Sequence, residues 1–482
     1  MKCPRLQMVN RSVGTTEKIA EKLAARGSTA IPQRLRITPT PGSELARNHI
    51  TVQDVCTAYR PTDAPVRQHS PLDGPQRQAG RQAGFMTVMR FAGNPRPTIG
   101  VEIELQLIDS RELSLRSCID QVLAALPEHL HDSVKPELMQ CYIEINTKVC
   151  STVTEAGDDL RRKLAQLEAV LHPMGIRLLW AGTHPFSSWR HQKITVHERY
   201  HRLVTLMEDI VRRLVTFGLH VHIGVDSGDK AVMICDRMLH YLPLLLALSA
   251  NSPFWEGRST GLQSNRSKIM EGLPTAGLPY QMRNWSEYVW LVKHLMGTGF
   301  INSIREIWWD IRPHHHFGTI EVRVCDVPPS LDHVLALTSL IQCLVHTISN
   351  DIDEGTFQSE YHPMMVEQNK WRATRYGADA SLVSYRDFQQ RSVPQLVDEL
   401  IVRLSPAARE LQCLTELESV SGIPHNSGAR RQNELYEATG SRRKVVEKLL
   451  EVPAWEPLPE TRHSTADSST DGLCDTAPLA AG

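Results

Sequence analysis

The sequence predicts a mixed fold of strands and long helices, built on one sheet with an apolar face and a polar face. Two observations lead to this prediction. Long amphipathic segments separate short segments of alternating polarity, and four of the alternating segments repeat the same two-faced pattern. A period of two is typical of a half-buried strand whose apolar side chains face the core. The four polar faces carry ionisable side chains, which indicates one shared functional surface.

The first of these strands, predicted over Thr98–Asp109, has the most regular alternation. Its apolar face is formed by Ile99, Val101, Ile103, Leu105 and Leu107. The opposite face holds Glu102 and Glu104, and like charges at that spacing raise each other's pKa unless a cation lies between them. For this strand alone, a solvated sheet edge is the simpler interpretation. The polar faces of the other three strands make a functional surface the better interpretation.

The remaining strands are predicted near residues 139–147, 218–226 and 318–326. Their polar faces add a glutamate, two histidines two positions apart, and a glutamate with an arginine: Glu144, His220, His222, Glu321 and Arg323. One histidine on a strand is more often a core residue, but two beside four acids favour a metal-binding surface. Oxygen ligands with one or two nitrogens suit Mg²⁺ or Mn²⁺ rather than structural zinc.

The helices and loops are predicted in the following order. Helical spacing covers 119–126, 154–172, 198–216, 229–250, 331–349 and much of 391–451. We expect Pro243 to bend the helix at 229–250, because proline removes an internal hydrogen bond. A strand over 177–183 precedes the His184-Pro185 turn, and a Gly/Ser/Asn-rich arm over 251–278 interrupts the regular structure.

Composition excludes several classes of protein. The 482 residues include 41% hydrophobic and 22% charged residues, an ordinary globular composition with a net charge of −1. No apolar run reaches the roughly 18 residues of a membrane span. The N-terminus has no apolar h-region, so no secretory signal is expected. The ten cysteines include no CxxC pair, so we expect reduced thiols and a cytoplasmic location.

The two ends of the chain differ from the middle. Residues 1–95 are Pro- and Arg-rich; 15 Lys and Arg stand against 6 Asp and Glu over 1–97, a net of +9. We expect this extension and a tail over 453–482 to be disordered, apart from a short helix at Glu17–Arg26. The RQAGRQAG repeat at 77–84 is part of the same extension, and Met86 or Met89 is an alternative start of translation. The basic segment lacks interleaved aromatic residues, so no nucleic-acid partner is expected.

Five motifs, taken together and in this order, resemble the type 2 glutamate–cysteine ligase family. They are IGVEIELQLID (99–109), EINT (144–147), GLHVHIGV (218–225), LLLALSANSPFW (244–255) and GTIEVRVCD (318–326). WRATRYG (371–377) and GARRQ (428–432) match more weakly. Members of that family are ATP-dependent carboxylate–amine ligases related to glutamine synthetase. The resemblance spans about 97–450, and it does not cover the N-terminal extension.

The resemblance implies an α+β, glutamine-synthetase-like catalytic domain over 96–452. Its curved, mainly antiparallel sheet would form a funnel, with helices packed outside and with Mg²⁺ (or Mn²⁺) and ATP inside. The matched metal ligands are Glu102, Glu104, Glu144, His220 and Glu321. His222 matches the second histidine, nearer the phosphates or the substrate, and Arg323 matches the arginine that holds the transferred phosphoryl group.

Further residues have two interpretations of equal weight. The arm is either a lid that binds a substrate carboxylate or an ordinary surface loop; its candidate side chains are Ser252, Arg258, Ser264, Asn265 and Arg266. A helical stripe of Asn369, Arg372 and Arg375 is either a phosphate or nucleotide contact or a solvated face. His314–His316 is expected to be a turn rather than a metal tract, and Cys325 a small packed residue.

Two functions from different classes follow. The first is a ligase, with glutamate and cysteine as nominal substrates, that forms an amide through an acyl phosphate and releases ADP and phosphate. The second is a catalytically idle relative that binds metal or nucleotide in a regulatory role; a ligase for another carboxylate is a narrower alternative. The sequence favours the ligase because every matched ligand is present. We expect small-molecule substrates as its partners and no association with a membrane. Whether the protein forms a homodimer stays open.

Overall fold

The computed structural model describes residues 89–356, 362–384 and 387–458, and a seven-stranded sheet lies at its centre. The strands of this sheet are β1 (Ile99–Asp109), β2 (Val134–Lys135), β3 (Tyr142–Asn146), β4 (Ile176–Leu179), β5 (Gly218–Gly224), β10 (Ile311–His314) and β11 (Thr319–Asp326). The order is β10-β11-β5-β1-β3-β2, with β4 also paired to β1, and every pairing is antiparallel. The predicted α+β class with a mainly antiparallel sheet is confirmed.

Short strands form three further two-stranded sheets. They are β6 (Phe254–Trp255) with β7 (Arg258–Ser259), β8 (Ala276–Gly277) with β9 (Trp308–Trp309), and β12 (Ser381–Val383) with β13 (Gln390–Ser392). β6, β7, β8 and a helix lie in the arm at 251–278, which the sequence predicts to be irregular. The arm is therefore more regular than expected.

Fourteen α-helices occur in the part of the chain that the structure describes. The first seven are α1 (Ile119–Ala125), α2 (Val153–Leu171), α3 (Glu198–Met207), α4 (Asp209–Arg212), α5 (Gly228–Met238), α6 (Leu242–Ser249) and α7 (Asn265–Met270). The others are α8 (Trp285–Gly297), α9 (Leu331–Asp353), α10 (Pro363–Tyr376), α11 (Val393–Glu410), α12 (Leu414–Ser419), α13 (Gly428–Thr439) and α14 (Arg442–Glu451). The predicted helices at 119–126, 154–172 and 331–349 are confirmed, the last with an additional turn.

Two predicted long helices are each broken in two. The segment 198–216 is α3 and α4, separated at Glu208, whose φ of +45° is not helical. The segment 229–250 is α5 and α6, which meet at a 65° bend across Leu239–Tyr241. Pro243 lies in the first turn of α6, where its missing N–H is not needed for the helix. The prediction of one helix bent at Pro243 is therefore wrong: proline begins a second helix.

The core lies on the apolar face of the sheet. Ile99, Ile103, Ile143 and Leu219 are at most 1% exposed, and α2 and α9 pack against β1 and β5. By length and composition α9 is the one described helix able to cross a membrane, and the bent α5–α6 pair passes the same test only as a unit. In α9, 78% of the most apolar 18-residue stretch is buried inside the protein, which is typical of a core helix.

Residues just before β1 are part of the same packed unit. The Ala92 amide donates to the His315 carbonyl (2.9 Å), the Asn94 amide donates to the Val225 carbonyl (2.7 Å), and the Phe91 ring meets Trp285 edge-on. The sequence analysis assigns residues 89–95 to the extension, whereas the structure packs them beside β5. The predictions for 1–88, including the helix at 17–26, and for the tail beyond 458 lie outside the described residues.

Candidate active site

Antiparallel pairing places the four predicted polar faces on one surface. Glu102 in β1 lies opposite His220 in β5, and Glu104 lies opposite Glu144 in β3. On the other side of β5, His222 lies opposite Glu321 in β11. Each of these side chains follows the alternation of its own strand, and the pairing of the strands brings them together. All six predicted metal-surface residues therefore share one face of the sheet.

Glu102, His222 and Glu321 form a possible metal site, because their ligand atoms all lie within 4.8 Å of one another. Glu102 Oε1 is 3.4 Å from His222 Nε2, and Glu102 Oε2 is 3.2 Å from His220 Nδ1. His222 Nδ1 is 3.0 Å from the Thr319 hydroxyl, a contact that fixes the orientation of the ring.

Both histidines have an unsatisfied nitrogen. Nε2 of His220 and Nε2 of His222 are buried and lack a hydrogen-bond partner among the described residues. Buried polar atoms are normally satisfied, so these two nitrogens, beside two carboxylates, fit a bound cation. The family resemblance implies that His220 binds the metal and that His222 lies nearer the phosphates or the substrate. The structure places His222 in the three-residue group and His220 between Glu102 and Glu104, 3.9 Å from Glu104 Oε1.

The carboxylates of the site differ in charge state. Burial acts to raise the pKa of Glu102, but the neighbouring imidazoles of His220 and His222 outweigh burial and lower this pKa. Burial also opposes ionisation of Glu321, yet the charges of Arg312 and Arg323 hold the Glu321 pKa well below its ordinary value. Burial and the neighbouring Glu102 raise the pKa of Glu144 well above its usual range. The sheet thus has an anionic centre and, at β3, a carboxyl whose ionisation is disfavoured.

Glu104 and Glu144 lie on the β3 side of the surface. The Gly218 amide donates to Glu104 Oε2 at 2.5 Å, and Asn146 Nδ2 donates to Glu144 Oε1 at 2.9 Å. These bonds hold each carboxylate against the sheet. Both residues face the same side as Glu102, as the alternation of their strands predicts.

Arg323 lies beside Glu321, and its guanidinium contacts that carboxylate. Its main-chain amide donates to the Asp310 carbonyl at 2.8 Å, and the pairing of β11 with β5 shifts register between Val322 and Cys325. Cys325 is completely buried, as predicted for a packed residue. The register shift in β11 therefore includes Arg323, the predicted phosphoryl-binding residue.

The candidate residues of the arm lie behind this strand. Ser252 and Ser264 are fully buried and donate to the two oxygens of Asp326, at 2.6 and 2.8 Å. Arg266 is 4% exposed, and its Nη2 lies 3.4 Å from the Arg323 carbonyl. The Asn265 amide donates to the Ser252 carbonyl where α7 begins. Ser252 and Arg266 therefore support β11.

The arginine stripe and the histidine run have local partners. Arg372 donates to the Ser381 carbonyl at 3.0 Å, and Arg375 lies over the Tyr376 ring. The ring of His314, the last residue of β10, lies 5.5 Å from that of His222, and burial lowers the His314 pKa to about 4. His314 thus borders the possible metal site.

Three functional candidates escape the sequence analysis. Arg312, in β10, pairs with Glu321. Lys370 is 4% exposed and pairs with Asp310 and with Glu271. Burial and the charge of Glu104 raise the pKa of Glu137 to about 7. Arg312 lies in β10, which forms a hairpin with the strand of Glu321. This closeness in sequence is a local signal that Lys370 and Glu137 lack.

The fold is that of solved glutamate–cysteine ligase and glutathione synthetase structures. The glutamate–cysteine ligase of Francisella tularensis in complex with AMP matches with a TM-score of 0.56, at 14% identity, over 75% of this chain and 88% of that chain. A bifunctional glutathione synthetase of Pasteurella multocida also matches with a TM-score of 0.56, at 14% identity, over 74% of this chain and 52% of that chain. At such identities the likeness establishes the fold.

Sequence comparison identifies the family. The model of the glutamate-cysteine ligase family 2 matches residues 98–451. A Gloeobacter violaceus protein named "Putative glutamate–cysteine ligase 2" is 41% identical over 362 residues, 74% of this chain and 97% of that protein. A Mycobacterium ulcerans protein of the same name is 40% identical over 374 residues, 77% of this chain and 94% of that protein. The chain belongs to the glutamate–cysteine ligase family 2.

Family and fold together confirm the resemblance on which the functional prediction depends. The protein is an ATP-dependent carboxylate–amine ligase of the glutamate–cysteine ligase type, and a nucleotide is its co-substrate. The described part of the chain also contains a possible metal site at Glu102, His222 and Glu321.

Proposed function

We propose that the protein joins the side-chain carboxylate of glutamate to the amine of cysteine, with ADP and phosphate as the other products. A carboxylate is a poor acyl donor, because its leaving group would be oxide. Transfer of the γ-phosphoryl group of ATP to this carboxylate gives an acyl phosphate, which the amine attacks to form an amide. The names of the curated relatives support the choice of substrates.

The anionic centre of the sheet suits the first of these two steps. Two anions must approach each other, so their repulsion has to be cancelled. Glu102, His222 and Glu321 would hold a divalent cation, Mg²⁺ or Mn²⁺, and His220, Glu104 and Glu144 extend the ligand set towards β3. When bound, such an ion neutralises phosphate charge and orients the transferred group. The ionised state of Glu102 and Glu321 prepares this centre for the cation.

In this proposal Arg323 holds the phosphoryl group during transfer. Its planar guanidinium can donate to two phosphoryl oxygens at once, which a lysine cannot do. Arg312 pairs with both oxygens of Glu321, so Glu321 does not depend on Arg323 alone for its counter-charge. Arg323 is then free to exchange its contact with Glu321 for one with the substrate.

The other predicted residues divide into two groups. Ser252 and Arg266 support Asp326 and the main chain of β11, so we propose an indirect role that keeps Arg323 in position. For Asn265, Arg372 and Arg375, contact with substrate or nucleotide stays a prediction. His222 lies in the possible metal site, and we propose that it orients the phosphates through the cation that it binds.

The observation that carries the proposal is the convergence of Glu102, His222 and Glu321 within 4.8 Å, with Arg323 on the same carboxylate. Its test is the release of ADP in mixtures that each lack one component. We expect release only when ATP, a divalent cation, glutamate and cysteine are all present. Release with another carboxylate but not with glutamate would overturn the substrate assignment. Nucleotide binding without any turnover would favour the catalytically idle relative.

A further inference from the structure

Two main-chain bonds of Arg323 lead to one buried lysine, Lys370 in α10. The Arg323 amide donates to the Asp310 carbonyl at 2.8 Å, and Lys370 Nζ donates to the Asp310 carboxylate at 2.5 Å. From the other direction, Arg266 Nη2 donates to the Arg323 carbonyl at 3.4 Å. Arg266 belongs to α7, and Lys370 Nζ lies 2.9 Å from Glu271, the residue directly after α7. The lysine thus connects the two segments that hold the main chain of Arg323.

Lys370 is a charged residue inside the protein. It is 4% exposed, and burial acts to lower its pKa, but the charges of Asp310 and Glu271 outweigh burial and raise this pKa. Glu271 has a second cation, Lys268, at 2.6 Å, whereas Lys370 is the one ion-pair partner of Asp310 within the described chain. Loss of the lysine would therefore release the side chain of Asp310 first.

Asp310 joins β9 to β10 and bonds to two further strands. Its amide donates to the Gly277 carbonyl in β8 at 2.8 Å, and its carbonyl accepts from the Arg323 amide in β11. Arg323 lies within the register shift of β11, where pairing with β5 is interrupted. The chain has fewer sheet bonds at such an irregularity, so the position of Arg323 depends on Asp310 and Arg266. Lys370 holds the first of these directly and the second through α7.

We infer that Lys370 is a positioning residue, which fixes Arg323 in the place where its guanidinium meets the transferred phosphoryl group. This inference rests on the proposed function, in which Arg323 makes that contact. Reaction rates depend steeply on such placement, because a displacement of about 1 Å can lower a rate by about a hundredfold. Removal of Lys370 should therefore lower kcat beyond any effect on stability.

The test is a double-mutant cycle on kcat that combines Lys370 with Arg323. Lys370→Gln removes the charge, and Lys370→Arg keeps it. Each substitution is made in wild type and in Arg323→Lys. The release of ADP is measured with saturating ATP, divalent cation, glutamate and cysteine, at a temperature well below the melting temperature of every variant. The KM for ATP is determined for each variant as well.

Lys230 in α5 provides the matched control. It is 8% exposed and bridges the carboxylates of Asp226 and Asp353, each at 2.7 Å. Asp226 follows β5, and Asp353 ends α9, so these partners lie outside the segments that hold Arg323. Lys230→Gln removes an equivalent buried ion pair. It should lower the melting temperature and leave kcat unchanged.

We expect Lys370→Gln to lower kcat by about tenfold or more, with little change in the KM for ATP. In the Arg323→Lys background the same substitution should lower kcat by less than about threefold, because the guanidinium that Lys370 positions is already absent. Lys370→Arg should restore most of the rate. A purely structural lysine would give the same factor in both backgrounds.

The outcomes that overturn the inference are distinguishable from failure of the proposed function. Equal factors in the two backgrounds, or an unchanged kcat of Lys370→Gln, would make Lys370 a structural residue and leave the ligase proposal intact. Full activity of Arg323→Lys would remove the phosphoryl contact, and the inference with it. Absence of turnover of glutamate and cysteine by wild type would overturn both.

Asp310→Asn keeps the test decisive if Lys370→Gln does not fold. It retains the main-chain bond to Arg323 and removes the charge that Lys370 binds. In the same cycle it should also lower kcat in wild type and have a much smaller effect in Arg323→Lys. Equal effects of Asp310→Asn in the two backgrounds would overturn the inference.

Discussion

Arg312 holds Glu321 through two hydrogen bonds, with Nε 2.7 Å from Oε2 and Nη2 3.3 Å from Oε1. The two side chains are 7% and 2% exposed, and Nη1 of Arg312 donates to the Ile307 carbonyl at 2.7 Å. This buried, main-chain-anchored pair fixes Glu321 at the centre of the possible metal site. Arg323, the second partner of Glu321, has no such main-chain anchor for its guanidinium within the described chain, so we propose that Arg312 is the structural cation and Arg323 the functional one.

Substitution of Arg312 should therefore destabilise the fold. Arg312→Gln leaves Glu321 buried with one cation fewer, and breaking such a pair costs about 3 kcal/mol. Urea denaturation should show a lower free energy of unfolding by that order. Arg409→Gln, at an exposed position, is the control. Equal stability of the two variants would show that the pair contributes nothing measurable.

A methyl group at Gly218 should disturb two functional residues at once. A Cβ there would lie 2.2 Å from Arg266 Nη2, and the Gly218 amide is a donor to Glu104. Gly218→Ala should force the buried guanidinium away from the Arg323 carbonyl, at a cost of about 1–3 kcal/mol. The melting temperature and the ligase activity should both fall. Gly422→Ala, where a Cβ meets nothing within 4 Å, should change neither quantity.

Alternating polarity predicts the strands of the site well. The directions of Glu102, Glu104, His220 and His222 follow from their own strands, because side-chain direction is a local property of an extended chain. The register that brings Glu102 to His220, 118 positions away, depends on long-range pairing and is not contained in either strand alone. The repetition of the two-faced pattern in four strands predicted one sheet with one shared surface, and the family resemblance implied the same.

Other features could not be predicted because their cause is tertiary. Arg312 lies in a strand of four residues that contains Pro313, too short to show alternation. Glu137 lies in an irregular segment whose position depends on the long-range bridge between Met139 and Ile194. The Gly/Ser/Asn composition of the arm indicates a surface loop, whereas Ser252 becomes a core residue because Asp326 needs buried donors.

His184 should make stability depend on pH. Burial lowers its pKa to about 3, while Nε2 bonds the Leu113 carbonyl and Nδ1 accepts from the amides of Phe186 and Ser187. The unfolded chain, with a histidine pKa near 6.5, binds the proton first as pH falls. The free energy of unfolding should thus decrease by about 1.4 kcal/mol per pH unit below about pH 6 and level off near pH 3.

The variant His184→Asn isolates this effect. Its amide oxygen can accept the same two amide protons, and it does not titrate in this range. Urea denaturation at several pH values between 7 and 4 should give a flatter dependence for the variant than for wild type. Parallel curves would show that His184 is not the group responsible.

Glu102→Gln should abolish cation-dependent turnover while the protein stays folded. Glu102 contacts both histidines and belongs to the possible metal site, and the substitution removes charge but little volume. ADP release should be undetectable at Mg²⁺ or Mn²⁺ concentrations that saturate wild type, with an unchanged circular dichroism spectrum. Glu437→Gln, exposed on α13, should behave as wild type. Near-normal activity of Glu102→Gln would exclude Glu102 from the metal site.

Arg323→Lys separates the catalytic role of Arg323 from a structural one. If the guanidinium holds the phosphoryl group in transit, its two-oxygen contact is made chiefly in the transition state. Lysine keeps the charge and loses the second donor, so kcat should fall by at least about a hundredfold with little change in the KM for ATP. The melting temperature should stay close to that of wild type, because Arg312 still pairs with Glu321. An active variant with a clearly lower melting temperature would instead make Arg323 a second structural counter-charge for Glu321, and the phosphoryl contact would have to come from another residue.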